Sequence, residues 1–345
     1  MADRPLDGKV ALVAGATRGA GRGIACMLGA AGATVYCSGR SVAGQPSPMN
    51  RPETIDETAA LVDAQGGRGV AVRADHTREE EVKALVARIE AEQGRLDVLV
   101  NDIWGGDSMT DWGARFWEQD IAKARTLVDQ AVFSHLITAR HAAPLMIKGD
   151  RGLIVEVTDG HHEGYRGQIL YDLVKSSVNR LAYAMAWDLR GTGVTALAVS
   201  PGFLRSEAVL AHFGVEEANW RDAIAKDPFF GESETPLFVG RAVAALAADP
   251  DVARRAGQVL FAADLAAAYG FTDVDGRTPA FFPMLKRRTA ELAAKAGPLE
   301  EGERFLVLAR YLQIHREPSG AAEAQALAAK LGFDDLGPGL GPVAA

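Results

Sequence analysis

Short apolar runs and longer amphipathic stretches alternate along most of this chain. The runs are rich in β-branched or aliphatic residues, which is typical of buried strands: Val10–Ala14, Thr34–Ser38, Val70–Ala74, Leu96–Asn101, Gly152–Thr158, Val194–Ser200 and Gly257–Phe261. The stretches between them carry apolar residues at helical spacing, in Gly21–Gly32, Ile55–Gln65, Glu79–Gln93, Ile121–Met146 and Tyr171–Arg190. Strands that are apolar on both faces and alternate with helices predict a doubly wound α/β fold, with a parallel sheet of about seven strands covered by helices.

The sequence changes character at Thr278. Ala-rich helical patterns follow near Met284–Ala296, Gly302–Ile314 and Ala321–Leu331, and the chain ends in a Gly/Pro-rich segment. We therefore expect one α/β domain over residues 1–277 and a helical C-terminal extension with a flexible end over residues 278–345.

Charge and cysteine content exclude several classes of protein. The 345 residues include 37 basic and 45 acidic side chains, for a net charge of −8, and no Lys/Arg-rich block that would bind nucleic acid. Two cysteines, Cys26 and Cys37, are too few for a disulfide framework or a four-cysteine zinc site. The N-terminus lacks a signal-peptide pattern, and no apolar run reaches the roughly 18 residues of a membrane span. We expect a cytoplasmic protein whose partner is a small molecule, not nucleic acid or membrane.

The first predicted strand runs into a glycine-rich turn. Gly15, Gly19 and Gly21 are spaced G-x3-G-x-G, with Thr17 and Arg18 between them, and an apolar helix follows. Glycines let the backbone bend tightly and bring N–H groups and the positive end of a helix close to a phosphate. The turn therefore predicts a dinucleotide site, and the alternative is an ordinary strand–helix turn.

The end of the second strand indicates which dinucleotide binds. An acidic residue there would bind the ribose 2′-hydroxyl, whereas an arginine suits a 2′-phosphate. The sequence reads Ser38-Gly39-Arg40-Ser41, and Arg18 can approach the same phosphate. We expect NADP(H), with NAD(H) less favoured; the alternative for each arginine is a solvated surface charge.

Tyr171 and Lys175 lie four residues apart, on one face of a predicted helix. A nearby cation favours the phenolate and should lower the pKa of the tyrosine. The pair could then donate a proton to a carbonyl oxygen, and the alternative is a surface pair of helix neighbours.

Together these residues resemble the short-chain dehydrogenase/reductase family. The resemblance spans Gly8 to Gly276 and includes Asp75-His76, Asn101-Asp-Ile-Trp-Gly and Ser200-Pro-Gly-Phe-Leu-Arg-Ser206. Asp264-Leu-Ala and Tyr269–Gly276 further resemble the branch of that family that contains dehydrogenase/reductase member 1.

The resemblance implies a Rossmann-type fold, NAD(P)-dependent hydride transfer and a homodimer or homotetramer. The expected activity is NADPH-dependent reduction of a carbonyl, or its reverse, with Tyr171 as acid/base. The resemblance also implies that Asp75, with His76 beside it, contacts the adenine and that Asn101 lies on the nicotinamide side. Lys175 would bind the nicotinamide ribose. Four residues would surround the nicotinamide: Pro201, Gly202, Phe203 and Ser206.

The sequence departs from the family where a serine usually binds the substrate carbonyl. Counting residues back from Tyr171 to the usual position of that serine gives Thr158, whereas aligning the end of the predicted strand gives Asp159. A threonine hydroxyl can polarise a carbonyl, but an ionised aspartate would repel a developing oxyanion. We predict Thr158 as the substitute and Asp159 as a substrate contact, with a catalytic part for Asp159 if it is protonated or binds a basic group.

Two further positions depart from the family. No asparagine stands in the long fourth helix where relatives use one to hold a proton-relay water, and Asp129 or Gln130 is the candidate replacement. Trp104 would crowd the mouth of the pocket and contact substrate.

The loop after Asp159 carries His161, His162 and Glu163. Adjacent histidines point in different directions and the loop has no established ligand spacing, so we expect no metal and place His161 at the substrate pocket. His135 and His141, on the long helix, are expected to be packed or exposed.

The segment Ser206–Glu234 is long enough for a substrate lid. Aromatic residues gather in loops on the expected substrate side, and they suit a bulky apolar or aromatic carbonyl unless they merely pack the lid: Trp104, Phe203, Phe213, Trp220, Phe229 and Phe230.

Two other functions remain open at this level. One is an epimerase or dehydratase that retains its cofactor, with Asp159 or Glu156 shuttling protons. The other is a catalytically weak dinucleotide-sensing scaffold, suggested by the altered serine and asparagine positions.

Overall fold

Seven parallel strands form one sheet in the order β3-β2-β1-β4-β5-β6-β7. The structure is a computed structural model that describes residues 4–45, 51–160, 165–314 and 318–332. In chain order the strands are β1 Val10–Ala14, β2 Thr34–Gly39, β3 Arg68–Arg73, β4 Val98–Asn101, β5 Gly152–Val157, β6 Val194–Ser200 and β7 Val259–Phe261. The strand order reverses between β1 and β4, and ligands of open α/β sheets bind at such a switch point. The predicted Rossmann-type α/β fold is confirmed.

Helices connect the strands and extend the chain beyond them. They are α1 Gly19–Ala30, α2 Ile55–Ala64, α3 Glu79–Gln93, α4 Ile121–Val128, α5 Ser134–Lys148, α6 Ile169–Asp188, α7 Glu207–Phe213, α8 Pro236–Ala248, α9 Ala262–Tyr269, α10 Phe281–Ala294, α11 Glu301–Ile314 and α12 Ala321–Leu331. None of the helices in the described part of the chain combines the length and apolar character that a membrane crossing requires.

The two faces of the sheet carry separate apolar cores. Helices α1, α2, α8 and α9 pack on one face, and α3, α5 and α6 pack on the other. Helices α1 and α8 touch backbone to backbone, since a Cβ on Gly23 would lie 1.9 Å from the carbonyl oxygen of Pro236. Cys26 and Cys37 are buried free thiols in the first of these layers.

The predicted continuous helix Ile121–Met146 is interrupted. A π-helical turn over Asp129–Phe133 separates α4 from α5. Such a turn inserts one residue into the helical ladder and is frequent at functional sites. The interruption changes which side chains face the sheet end, and Gln130 is one of them.

The C-terminal helices build a third apolar cluster of their own. Leu285, Leu292, Val307 and Leu327 are buried there together with Phe229 from the segment before α8. The backbone N–H of Tyr165, in the segment that precedes α6, donates to the carbonyl oxygen of Leu312 in α11 at 2.9 Å. The extension therefore packs against the parts of the chain that surround the carboxyl ends of the strands.

Candidate active site

A cavity of about 1610 Å³ lies at the carboxyl ends of the strands. Most of the residues predicted for cofactor, catalysis and substrate line it: Gly15, Thr17, Arg18, Gly19, Arg40, Trp104, Asp75, His76, Thr158, Asp159, Tyr171, Lys175, Pro201, Gly202, Phe203 and Ser206. The side chains that meet here come from turns after six different strands, which is how a parallel sheet concentrates chemistry at one edge.

The glycine-rich turn forms an anion-binding position at the N-terminus of α1. Gly19 has φ of +56°, and its N–H donates to Oε2 of Glu207 at 2.8 Å. Arg22 Nη1 lies 3.7 Å from the other oxygen of Glu207. A carboxylate from α7 thus takes the place at the helix N-terminus that suits a phosphate, so the turn fits the pyrophosphate of a dinucleotide.

Gly15 and Gly21 allow the turn to pack against the end of β4. A Cβ on Gly15 would lie 2.3 Å from the carbonyl oxygen of Asp102, and one on Gly21 would lie 2.8 Å from Asp102 Oδ2. Gly21 itself does not line the cavity. Burial raises the pKa of Asp102 to about 7, although the charge of Lys175 and a hydrogen bond from Gly21 N–H act to lower it.

Two of the arginines that face the cavity belong to the end of β2 and to the glycine-rich turn after β1. Arg40 and Arg18 both line it, and Gly39 lets the side chain of Thr17 approach, since a Cβ there would lie 2.7 Å from Thr17 Oγ1. Arg18 also lies 3.7 Å from Glu53. Burial acts to raise the pKa of Asp75, but hydrogen bonds from Thr77 and the charge of Arg40 leave it below its usual value.

His76 lies at the wall, with both ring nitrogens already engaged. Nε2 lies 3.0 Å from Ser38 Oγ and Nδ1 lies 2.8 Å from Thr138 Oγ1. Burial lowers the pKa of His76 to about 4, so the ring is neutral. Any contact with a cofactor would come from its backbone or its ring carbons.

Asn101 does not line the cavity, contrary to the expectation that it faces the nicotinamide. Its Nδ2 donates to Glu156 Oε1 at 2.7 Å, and His135 Nδ1 lies 2.6 Å from Glu156 Oε2. All three side chains are buried, and none of them lines the cavity. Because both oxygens of Glu156 are engaged, that residue is not placed to exchange protons with a substrate.

Asp159, not Thr158, stands beside the tyrosine. The Tyr171 hydroxyl donates to Asp159 Oδ2 at 2.9 Å. The Thr158 hydroxyl instead donates to the backbone oxygen of Lys175 at 3.2 Å. The geometry therefore contradicts the prediction that Thr158 takes the place of the serine, because its hydroxyl bonds to the backbone and Asp159 contacts Tyr171. β5 ends at Val157, so Thr158 and Asp159 lie in the turn after the strand, where counting along the sequence does not fix which side chain points to Tyr171.

The expected lowering of the tyrosine pKa is also wrong. Burial, followed by the charge and hydrogen bond of Asp159, raises the pKa of Tyr171 well above its usual value, with Arg166 acting the other way. Burial lowers the pKa of Lys175, partly offset by the charges of Asp159 and Asp102. The phenol is held protonated.

Tryptophans enclose the tyrosine and the lysine. The Trp104 ring packs edge-on against Tyr171 at 5.5 Å, and Lys175 Nζ lies 4.7 Å from the Trp104 ring centre. The Trp112 ring lies 5.3 Å from that of Tyr171 on the solvent side. Trp104 thus packs against Tyr171 and Lys175 instead of merely narrowing the mouth of the cavity.

Gln130, rather than Asp129, faces the cavity from the π-helical turn. Its Oε1 is buried and accepts no hydrogen bond from the described residues. This amide is the better candidate for the place of the usual helix-four asparagine.

The Pro-Gly loop after β6 is fixed by a buried acid. Gly202 N–H donates to Glu234 Oε2 at 2.9 Å, and Phe203 carbonyl accepts from Glu234 N–H at 2.9 Å. Burial raises the pKa of Glu234 to about 8, more than its hydrogen bond from Gly202 lowers it.

Only part of the aromatic set in the predicted lid reaches the cavity. Phe203 and Phe213 line it, whereas Trp220 and Phe230 are buried within the lid and Phe229 is buried against the C-terminal helices. Phe281 and Phe282 from α10, and Leu308, Ala309, Arg310 and Leu312 from α11, complete the wall.

His161, His162 and Glu163 lie outside the described residues. Across the described ranges, no group of three or more His, Cys, Asp or Glu side chains is arranged to hold a metal ion.

Three residues with a place in the site were missed from the sequence. Glu207 follows Ser206 directly, Asp102 follows Asn101, and Arg166 ion-pairs with Asp172 Oδ1 at 3.0 Å beside the tyrosine helix. For Glu207 and Asp102 the available signal was an acidic residue directly after a recognised motif residue. Arg166 had none, because its contacts depend on the path of the loop before α6.

Comparison with known proteins agrees with this geometry. The family described as short chain dehydrogenase matches residues 9–212. Dehydrogenase/reductase SDR family member 1 is 36% identical in Mus musculus and 34% in Homo sapiens, each over 278 residues that cover 79% of this chain and 85% of that protein. The 7alpha-hydroxysteroid dehydrogenase of Escherichia coli is 30% identical over 205 residues, 59% of this chain and 74% of that one.

Solved structures share the fold. A hydroxysteroid dehydrogenase from Escherichia coli superposes with a TM-score of 0.60 at 25% identity, covering 74% of this chain and 96% of that one. A short chain dehydrogenase from Mycobacterium thermoresistibile gives a TM-score of 0.67 at 22% identity, covering 80% and 92%. The glycine turn, the Tyr171/Lys175 pair and these matches lead to one conclusion: the chain belongs to the short chain dehydrogenase family.

Proposed function

We propose that this protein reduces a ketone or aldehyde with NADPH, or oxidises the corresponding alcohol. The family makes it an oxidoreductase that acts on hydroxyl or carbonyl groups with a nicotinamide dinucleotide. The observation that carries the proposal is the position of the Tyr171 hydroxyl, which lies beside Lys175 in the same cavity as the glycine turn.

Each group of the chain has a defined part in this proposal. The N–H groups of the glycine turn and the start of α1 bind the pyrophosphate, and the Pro-Gly loop with Ser206 borders the nicotinamide. When bound, NADPH supplies a hydride to the carbonyl carbon. Tyr171 donates the proton that completes the new hydroxyl, Lys175 places a positive charge beside it, and Gln130 accepts a hydrogen bond from water that returns a proton.

A tyrosine-specific substitution tests the chemistry. Tyr171→Phe should abolish NADPH consumption on a panel of ketones and aldehydes, while NADPH binding is retained. Tyr183→Phe removes a phenol from the same helix outside the cavity and should leave turnover unchanged. Turnover by Tyr171→Phe at the wild-type rate would refute the assignment, and a product formed without net NADPH consumption would favour an epimerase or dehydratase.

Preference for NADPH rests on Arg40 at the end of β2, on Arg18 in the glycine-rich turn and on the lack of an acidic residue at Gly39. A charge-assisted hydrogen bond contributes about 1.5–3 kcal/mol, so Arg40→Ala should lower the NADPH/NADH ratio of kcat/KM by about tenfold or more. Arg73→Ala, at the end of β3, is the matched control. An unchanged ratio would contradict the NADPH assignment.

The substrate and assembly complete the proposal. Trp104, Trp112 and Phe203 favour a bulky apolar or aromatic substrate. Large apolar side chains are exposed at Phe133 and Leu173, so we expect a homodimer or homotetramer, to be checked by sedimentation. The cytoplasmic location stays a prediction.

A further inference from the structure

We propose that the substrate of this site is a carbonyl compound with a protonated amine on the carbon next to the carbonyl, or the corresponding amino alcohol. This inference rests on the proposed function and names its substrate class. It starts from Asp159, whose carboxylate stands where the reacting oxygen must approach Tyr171.

The position of Asp159 is unfavourable for a neutral carbonyl. Its Oδ2 accepts the hydrogen bond of the Tyr171 hydroxyl at 2.9 Å, so it competes for the proton that the carbonyl oxygen needs. As hydride reaches the carbon, negative charge grows on that oxygen, and a carboxylate one hydrogen bond away repels it. A site built for neutral ketones would place a hydroxyl donor here.

The nearby cations are engaged elsewhere. Arg166 ion-pairs with Asp172 at 3.0 Å, and its Nε donates to the backbone oxygen of Asp159 rather than to the carboxylate. Lys175 lies over the Trp104 ring at 4.7 Å, and it attracts Asp159 without forming an ion pair among the residues that the structure describes. Within the part of the chain that the structure describes, the Asp159 carboxylate forms no ion pair, and a cation that arrives with the substrate can pair with it.

A neighbouring ammonium matches the geometry. The Tyr171 hydroxyl and Asp159 Oδ2 are 2.9 Å apart, and an oxygen and a nitrogen on adjacent carbons are separated by about the same one hydrogen-bond length. The carbonyl oxygen can then accept from Tyr171 while the ammonium donates to Asp159. The ammonium neutralises the carboxylate and also stabilises the developing oxyanion. The redox balance is that of the proposed function, and the amine is unchanged.

The surrounding walls add an aromatic component. Trp104 and Trp112 contact Tyr171 from two sides, at ring distances of 5.5 and 5.3 Å. Lys175 already lies over the Trp104 ring, so the exposed ring of Trp112 is the face that can attract an aromatic ring or a positive charge of the substrate. An aryl ketone with an α-ammonium group is therefore a suitable probe.

The experiment compares α-aminoacetophenone with propiophenone, in which a methyl replaces the ammonium. We expect wild-type kcat/KM to be at least tenfold higher for the amine. Asp159→Ser and Asp159→Asn should lower that value about 10- to 100-fold, the loss expected for a hydrogen bond between charged groups, and Asp159→Ser should raise turnover of propiophenone. Asp111→Asn removes an exposed acid outside the cavity and should leave the preference unchanged.

A binding measurement supplies a readout besides turnover. Phenylethanolamine should quench the tryptophan fluorescence of the wild type but bind Asp159→Asn at least tenfold more weakly. Equal or faster turnover of propiophenone by the wild type would overturn this inference and leave the proposed function standing. Turnover of neither ketone, with no oxidation of phenylethanolamine, would overturn both.

Discussion

The carboxylate of Glu207 competes directly with a cofactor for the glycine turn. It accepts the N–H of Gly19 at 2.8 Å and lies 3.7 Å from Arg22, at the positive end of α1. A pyrophosphate needs the same N–H, and it also brings negative charge towards the carboxylate. Glu207 must therefore leave this position before a dinucleotide can bind, and Glu207→Gln should make NADPH bind more tightly.

The size of the effect follows from the contact. A hydrogen bond to a charged group contributes about 1.5–3 kcal/mol, and glutamine keeps an acceptor oxygen while losing the charge. The side chain of Glu207 is 27% exposed, so water screens part of its charge and the lower end of that range applies. A gain of about 1.4 kcal/mol corresponds to a roughly tenfold lower Kd for NADPH.

Titration calorimetry with NADPH at low and high salt measures this effect. The gain should shrink as salt rises, because the competing contact is electrostatic. Glu80→Gln, an 86% exposed acid on α3, makes the same change in net charge and should leave the Kd unchanged. An equal or weaker affinity in Glu207→Gln would refute the competition.

Three further predictions concern buried acids. Because the pKa of Asp102 is raised to about 7, wild-type NADPH affinity should fall several-fold as its carboxyl ionises between about pH 6 and about pH 8, and Asp102→Asn should lose most of that dependence in the same calorimetric assay. The pKa of Glu234 is raised to about 8 in the folded chain, so its contribution to stability is complete below the unfolded pKa and declines as pH rises towards 8. At alkaline pH the free energy of unfolding of Glu234→Gln should therefore exceed that of the wild type by up to about 3–5 kcal/mol, and this difference should shrink in acid. A difference that stays constant with pH would contradict the raised pKa of Glu234. His135→Ala removes the partner of Glu156 and should cost about 3–5 kcal/mol in urea unfolding, whereas His141→Ala, which loses a contact to a half-exposed Glu79, should cost under about 1 kcal/mol.

The sequence was most informative where local pattern and burial agree. β6 was predicted over Val194–Ser200 and has those bounds, because every residue in it is buried and a Pro-Gly pair follows. Helix α3 likewise spans the predicted Glu79–Gln93, with Gly94 in the left-handed conformation that ends a helix.

The sequence-based predictions that failed depend on effects that the spacing of nearby residues does not reveal. Apolar periodicity runs through Ile121–Met146, yet one inserted residue makes the π-helical turn at Asp129–Phe133. The prediction for Tyr171 took only the charge of Lys175 into account, whereas burial and Asp159 determine the direction in which the pKa of Tyr171 shifts. The contact between Gly19 and Glu207 joins residues 188 positions apart, so no local motif could predict it.

The wall contributed by α10 and α11 has a consequence for how this enzyme and its relatives can diverge. Tyr171, Lys175 and Asp159 fall within residues 9–212, which match the family model, whereas Phe281, Leu308 and Leu312 lie beyond that match. Changes in α10 and α11 can therefore reshape this wall of the cavity without altering the Tyr171–Lys175 pair or the glycine-rich turn. The proposed proton donor and the outer wall of the cavity are thus encoded in different stretches of one chain, and each can change while the other is kept.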